Sequence, residues 1–504
     1  MVLEAFGQAL LSFGNPQLWL FMTFGVVVGL TLGVIPGLSG ITGLALALPF
    51  VFVMSPHEAL PLMVALVSVS YTGGSISAIL LNVPGTSSNA ATVVDGYPMS
   101  QKGEAGRALG AALMSSTAGG AVTVIFALLM VPLILPMVMA ITSPDMVFLV
   151  LLGLAFVATL GKGAMVRGLM SGGLGLAIAL IGLHARSGVP RFTFDMLYLY
   201  DGLPLAAMAL GLFAIPEMVA LAARGGTIAR VQVFADAGGV WEGAKDVYRH
   251  WWLWLRSSAI GYVIGLVPGI GSASAIFIAY GHAKQTSKTP EKFGTGCVEG
   301  IIAPESANNA KEAGALLTTM ALGIPGSADG AFFLGAFLVL GIIPGPEMIT
   351  KNLDLSLTLL LIIIVANLLG GGICFALASR MAKIALIPSR VLVPLVLAAT
   401  LVGAYASRKD FADILVVLVI GALGLAMKEF GYNRPALLLG FVLGSLFEKY
   451  LYISLAVGGP LFFIRPLSLI LILIFFGVVG YSPIKDGLAR YFRGRSREAK
   501  EAWN

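Results

Sequence analysis

Three carboxylates in the second half of this 504-residue chain lie in or beside apolar stretches, where an ionised group needs a partner or a task. Glu305 and Glu312 belong to the polar string Ala303-Pro304-Glu305-Ser306-Ala307-Asn308-Asn309-Ala310-Lys311-Glu312, and Asp329 follows Ile324-Pro325-Gly326-Ser327. In a membrane such groups suit a coupling cation or a transported proton; paired with Lys311 near the surface, Glu305 or Glu312 would instead be structural. Small polar residues gather nearby: Asn82, Thr86, Ser87, Ser88 and Asn89 in the first half, Asn308, Asn309 and Ser327 in the second. Neutral donors beside the N-terminus of a half-helix suit a carboxylate ligand, and carbonyl oxygens at opposing half-helix ends suit Na⁺. The competing reading is that these residues only satisfy interrupted backbone or let helices pack.

The elements that must position these groups are marked by four Pro-Gly pairs inside apolar stretches. Pro36-Gly37 and Pro84-Gly85 are answered by Pro268-Gly269 and Pro325-Gly326, at offsets of 232 and 241 residues. Proline removes a backbone donor and glycine loosens the helix, so such a break survives at membrane depth only where the freed backbone is buried in protein or lines a polar cavity. Matched breaks in two halves predict a substrate site between repeats, lined by these eight residues. Aligning Pro84 with Pro325 also aligns Gly73 with Gly314, Ser77 with Thr318 and Thr86 with Ser327. Pro344-Gly345 has no clear first-half counterpart, which leaves the repeat boundaries open.

Composition demands a membrane. Hydrophobic residues make up 58% of the chain and charged residues 11%, with a mean hydropathy of +0.94, whereas a soluble domain carries about 25% charged residues. A soluble enzyme is excluded, and the 63 glycines fit close helix packing. The net charge of +6 does not imply nucleic acid, because the basic residues sit in loops and in the tail, as on the cytoplasmic flanks of membrane helices. Cys297 and Cys374 are too few for a disulfide framework or a thiolate metal site. His57-Glu58 opens like a zinc-protease helix, but no histidine follows at the required spacing, and Gly161-Lys162 lacks the glycine and hydroxyl of a phosphate loop. No metal beyond a coupling Na⁺, and no organic cofactor, is expected.

Loop charge orients the chain. The central loop (Arg224, Arg230, Lys245, Arg249) and the tail (Arg490, Arg493, Arg495, Arg497) are basic and predicted cytoplasmic. The stretch from about Trp251 to His282 is basic on both flanks and predicts a re-entrant hairpin from the inner face. Its first-half counterpart, from about Gln17 to Met54, has no basic flank and predicts a hairpin from the outer face. Each is followed by a broken helix, and the two broken helices run in opposite directions. The expected fold is an all-α polytopic membrane protein of two inverted repeats with re-entrant hairpins and broken transmembrane helices, with roughly eleven crossings of about 20 apolar residues. Its divisions are a first membrane repeat (1–223), a cytoplasmic linker (224–256), a second repeat (257–483) and a basic cytoplasmic tail (484–504). Arg186, Arg191, Arg408 and Lys409 fall outside in this scheme, against the charge rule. Glu217 reads as interfacial, and Lys428-Glu429 and Glu448-Lys449 as short-loop pairs. No Lys or Arg precedes Lys102, so no cleavable signal is expected.

At this point the chain resembles a family. Tyr71-Thr72-Gly73-Gly74-Ser75 before Asn82-Val83-Pro84-Gly85, Glu299 through Pro304-Glu305 to Asn308-Asn309-Ala310, Leu322-Gly323-Ile324-Pro325-Gly326-Ser327, and Arg191-Phe192-Thr193-Phe194 with Gly211-Leu212-Phe213 are similar to the large membrane subunit of the tripartite tricarboxylate transporters. The resemblance covers nearly the whole chain. It implies a bacterial inner-membrane subunit, working with a small membrane subunit and a periplasmic solute-binding protein, that imports small carboxylates with a Na⁺ or H⁺ gradient. Rival readings are a stand-alone organic-anion carrier, a channel, since broken helices also line pores, and an intramembrane enzyme.

Overall fold

The computed structural model describes residues 2–159, 165–184, 186–224, 239–268, 272–381 and 387–480; Gly269, part of the central loop and the basic tail lie outside them. The first half comprises α1 (Val2–Ser12), α2 (Pro16–Val34), α3 (Gly40–Val51), α4 (Pro56–Leu81), α5 (Ala90–Gln101), α6 (Ala105–Met139), α7 (Ser143–Thr159), α8 (Met165–Ala179), α9 (Leu205–Ala209) and α10 (Ile215–Arg224). The second half comprises α11 (Val240–Arg249), α12 (Trp251–Leu266), α13 (Ser272–Thr286), α14 (Glu299–Leu322), α15 (Ala328–Val339), α16 (Pro346–Thr350), α17 (Leu353–Met381), α18 (Ser389–Arg408), α19 (Ala412–Glu429) and α20 (Arg434–Gly458). The only strands among the described residues, β1 (Gly182–Leu183) and β2 (Pro190–Arg191), pair antiparallel with Gly182 opposite Arg191.

The protein is therefore an all-α polytopic membrane protein. Among the described residues seven helical stretches are long and apolar enough to cross a bilayer: α2, α4, α6, α9 with α10, α17, α18 and α20. Others of the expected apolar runs are shorter helices, such as α3, α7, α8 and α15, because breaks or loops cut them below a bilayer's span. Apolar side chains left bare at helical spacing face lipid: Leu20, Phe24 and Val27 on α2, and Ile125, Leu129, Leu133 and Met137 on α6.

Local chemistry sets the helix starts. Pro16 opens α2 behind Asn15, whose side chain accepts the Gln17 N–H at 2.9 Å, and Ser55 with Glu58 forms a reciprocal cap on α4 behind Pro56. All three described Pro-Gly motifs, and the described flanks of the fourth, fall between helices. The chain folds back at the first of each half. Gly43 of α3 lies against Leu32 of α2, and Phe21 and Phe24 share a cleft with Phe50 and Met54. On the second hairpin Arg256 of α12 reaches Thr286 of α13 at 3.5 Å.

The two halves also pack alike, at the same offsets the motifs display. A Cβ on Gly29 would lie 2.2 Å from the Leu66 carbonyl oxygen, and one on Gly33 2.0 Å from that of Ser70. The equivalents, Gly261 against Ala307 and Gly265 against Lys311, give 2.5 and 2.2 Å. These glycines let α2 meet α4, and α12 meet α14, backbone to backbone.

The stretch expected as a linker is partly structured. Helix α11 packs on α6 through Gly243 and Gly110, and α12 already begins at Trp251. Burial alone would lift the Asp246 carboxyl, but Arg107 at 2.6 Å and Arg249 at 3.0 Å outweigh it and hold it below the usual carboxylate range. Two of the charges expected outside make long-range contacts. Arg191 makes a bidentate pair with Glu448 at 2.7 and 3.0 Å, and Arg408 donates to the carbonyls of Gly202 and Asp201. Glu448 thus pairs with Arg191 rather than Lys449, and Lys428 with Glu217 at 2.8 Å rather than Glu429. In both cases the partner comes from a distant part of the chain.

Candidate functional site

The second breaks of the two halves are built alike. Helix α4 ends at Asn82 in the left-handed conformation (φ 56°) and α14 at Gly323 (φ 65°), 241 residues on. Four residues later the chain is extended at Thr86 and Ser327, which precede the next helical turn. Asn82 and Ser87 are exposed, and the left-handed backbone of Asn82 forms the C-cap of α4. Gly345 donates its N–H to the Met320 carbonyl at 2.9 Å, so the unmatched Pro344-Gly345 turn closes the end of α14.

Between the breaks α4 and α14 cross, with most of both helices buried. Contacts progress in opposite senses along them: Asn309 reaches the Ser68 carbonyl (3.2 Å) and Thr72 Oγ1 (2.8 Å), whereas Glu305, one turn earlier on α14, meets Ser75, further along α4. Equivalent helices thus lie antiparallel.

The crossing carries two polar clusters. In the first, the fully buried Glu305 accepts from Ser75 Oγ (2.7 Å) and Ser116 Oγ (2.6 Å) on one oxygen, and from Thr92 Oγ1 (2.5 Å) and Asn89 Nδ2 (3.4 Å) on the other. Asn89 is itself oriented by Thr86, whose hydroxyl donates to its Oδ1 at 2.8 Å, and it donates to the Tyr71 carbonyl at 2.9 Å. Close approach is needed here, because a Cβ on Gly74 would meet Asn89 Oδ1 at 2.2 Å. The carboxylate has no ion-pair partner among the described residues, only neutral donors.

In the second cluster, Lys311 pairs with Glu312 and stands 4.0 Å over the Tyr71 ring, whose hydroxyl donates to Asp329 Oδ2 at 2.5 Å. The expected Lys311–Glu312 pair is thus present, but buried rather than near the surface. The other Asp329 oxygen, both side-chain polar atoms of Asn308 and Oδ1 of Asn309 are buried with no hydrogen-bond partner among the described residues. Asn309 Nδ2 also donates to Asn367 Oδ1 of α17 at 2.6 Å.

Thr86, Asn89, Asn308, Asn309, Glu305, Glu312 and Asp329, named from the sequence, therefore lie in or against these two clusters. Ser88 and Ser327 are buried beside the breaks, Pro36 and Pro325 are buried, and Pro84 and Pro268 are half-buried. Gly85 and Gly326 are closely packed, and Gly37 takes φ 92° at an exposed turn. Tyr71, Thr72, Ser75, Thr92, Ser116, Lys311 and Asn367 were not singled out as site residues. The hydroxyls of α4 beside Gly73-Gly74 carried a faint signal; Thr92 and Ser116 carried none.

Comparison with known proteins places this site in a family. A protein of Agrobacterium vitis described as "Uncharacterized 52.8 kDa protein in TAR-I ttuC' 3'region" is 32% identical over 437 residues, 86% of each chain. Another from the same organism, "Uncharacterized protein in TAR-II ttuC' 3'region", is 36% identical over 191 residues, 38% of this chain and 79% of its own. No solved structure matches. The family profile described as "Tripartite tricarboxylate transporter TctA family" matches residues 19–439, which include all four breaks and both clusters, and the chain belongs to that family.

Proposed function

We propose that the chain is the large transmembrane subunit of a binding-protein-dependent secondary transporter of the bacterial inner membrane, importing di- or tricarboxylates with a Na⁺ or H⁺ gradient. A small membrane subunit and a periplasmic solute-binding protein complete it. The observation that carries this reading is Glu305: a carboxylate excluded from water and served only by neutral donors is costly at membrane depth unless it takes a cation or proton during turnover. The second cluster, beside the break before α15, offers unpaired amide and carboxylate atoms to a polar substrate. The antiparallel crossing of equivalent helices and the matched glycine packing support inverted repeats.

The test is uptake into proteoliposomes carrying both membrane subunits, with imposed ion gradients and a panel of di- and tricarboxylates. Accumulation should collapse with ionophores while ATP is present and should need the binding protein on the outer face. ATP-driven uptake in de-energised vesicles would overturn the reading, and equal uptake without the binding protein would mark a stand-alone carrier.

Orientation has its own expected outcome. In a background lacking Cys297 and Cys374, Ser55→Cys should label from outside intact cells and Lys288→Cys only from inside, both positions being exposed. Labelling of both from one side would remove the inverted arrangement.

A further inference from the structure

We propose that Lys311 is the cationic anchor for one carboxylate of the substrate, and that Glu312 occupies this anchor as an internal stand-in until substrate displaces it. The inference rests on the carboxylate-transport reading of the same site and assigns its charge chemistry.

Lys311 is 2% exposed, and the described residues give its ammonium one carboxylate, Glu312, and one aromatic face, Tyr71. A buried ammonium is stable only when paired. Its presence beside the break therefore has to be explained by an anion, and the anion in place is one the chain supplies. Glu312 is the next residue on the same helix, so it can turn away from Lys311 without moving the backbone. Three observations point to an outside ligand. Asn308, a turn before Lys311 and Glu312 on the same face of α14, holds a fully buried amide with neither its donor nor its acceptor used. Asp329 holds one unpartnered oxygen, its other bound by Tyr71. Both Lys311 and Asp329 contact Tyr71, which places the ammonium and the carboxylate with the unused oxygen around one side chain.

The charges then dictate coupling. The charged and titratable groups of this contact set are Lys311 and Glu312 of α14, Asp329 of α15 and Tyr71 of α4, with Glu305 in the neighbouring cluster. When a substrate carboxylate takes Lys311, Glu312 and Asp329 are left facing a water-poor interior without the ammonium. Two unpaired carboxylates there are prohibitive, so a cation or proton must arrive with the substrate. Entry of anion and coupling ion is thereby one event. Asn308 donates its free N–H to the incoming carboxylate, and Asp329 and Glu312 hold the positive charge that accompanies it.

The test uses the full transporter in proteoliposomes with citrate and succinate as probes, read as exchange across the membrane without a gradient and as accumulation with one. Lys311→Gln alone leaves Glu312 unpaired and is expected to lower the folded amount, so the decisive variant is Lys311→Gln/Glu312→Gln, which removes both charges together. It should insert normally and raise the KM for exchange about 100-fold, the loss of a charged hydrogen-bonding partner. Lys311→Arg should recover part of that loss. Glu312→Gln leaves Lys311 without its carboxylate and is also expected to lower the folded amount, but per inserted molecule, by removing the stand-in, it should lower the exchange KM while abolishing gradient-driven accumulation. Exchange by the double variant with the wild-type KM would overturn the anchor, and normal accumulation by Glu312→Gln would overturn the stand-in. Failure of the wild type to move any carboxylate would overturn the transport reading itself, and this inference with it.

Discussion

Replacing Glu305 by Gln is expected to leave the protein folded and inserted in wild-type amount while abolishing ion-driven accumulation of substrate. The carboxylate accepts from three hydroxyls and one amide, and hydroxyls can rotate to accept from a Gln amide as readily as they donate to a carboxylate. The isosteric change removes the charge and keeps the contacts. Glu305→Ala differs in kind: it strands four donors in a dry interior, each at a cost of about 1–3 kcal/mol, and should sharply reduce the folded fraction. The two variants separate charge from architecture when transport per inserted molecule and protein amount are measured side by side. Wild-type accumulation and ion dependence in Glu305→Gln would assign the residue to helix packing and remove the coupling role.

Asp329→Asn, set beside Ser327→Ala, is the second large expected effect. Both residues are buried at the start of α15, two positions apart. Asp329 binds the Tyr71 hydroxyl and leaves one oxygen unused, so Asn preserves the shape and one acceptor while removing the charge. If Asp329 holds the coupling cation, the variant should lose its dependence on that ion, or its transport, by one to two decades, since an interaction with a charged group is worth ~1.5–3 kcal/mol. Ser327→Ala removes a neutral hydroxyl and should change the apparent ion affinity far less. Equal, small effects in both, with normal ion titration curves, would move the ion site away from the α15 break.

Much of this organisation was legible because membrane burial makes polarity and helix breakers expensive. The four Pro-Gly pairs had to be breaks, and their recurrence in the same order, at offsets of 232 and 241 residues, pointed to a repeated unit. The same economy singled out Glu305, Glu312, Asp329, Asn89, Asn308 and Asn309, each a polar side chain that an apolar environment would otherwise exclude. The resemblance to the tripartite transporters rested on those same strings. Crossing number was less legible, because apolarity alone does not separate a full span from a short arm that turns back.

What the sequence by itself determined was therefore the solvent, the helical class, the breaks and the shortlist of costly groups, for these follow from local composition and from chain-local hydrogen bonding. Only the tertiary structure decided who partners whom. Ser75, Thr92 and Ser116 converge on Glu305 from three different helices, and Tyr71 reaches Asp329 across 258 residues. Arg191 and Lys428 find their carboxylates on distant helices rather than beside them in the chain. A serine in an apolar helix reads the same whether it faces its own backbone or a buried carboxylate, because the energy that distinguishes the two belongs to a pair, and the second member of the pair is brought in by packing.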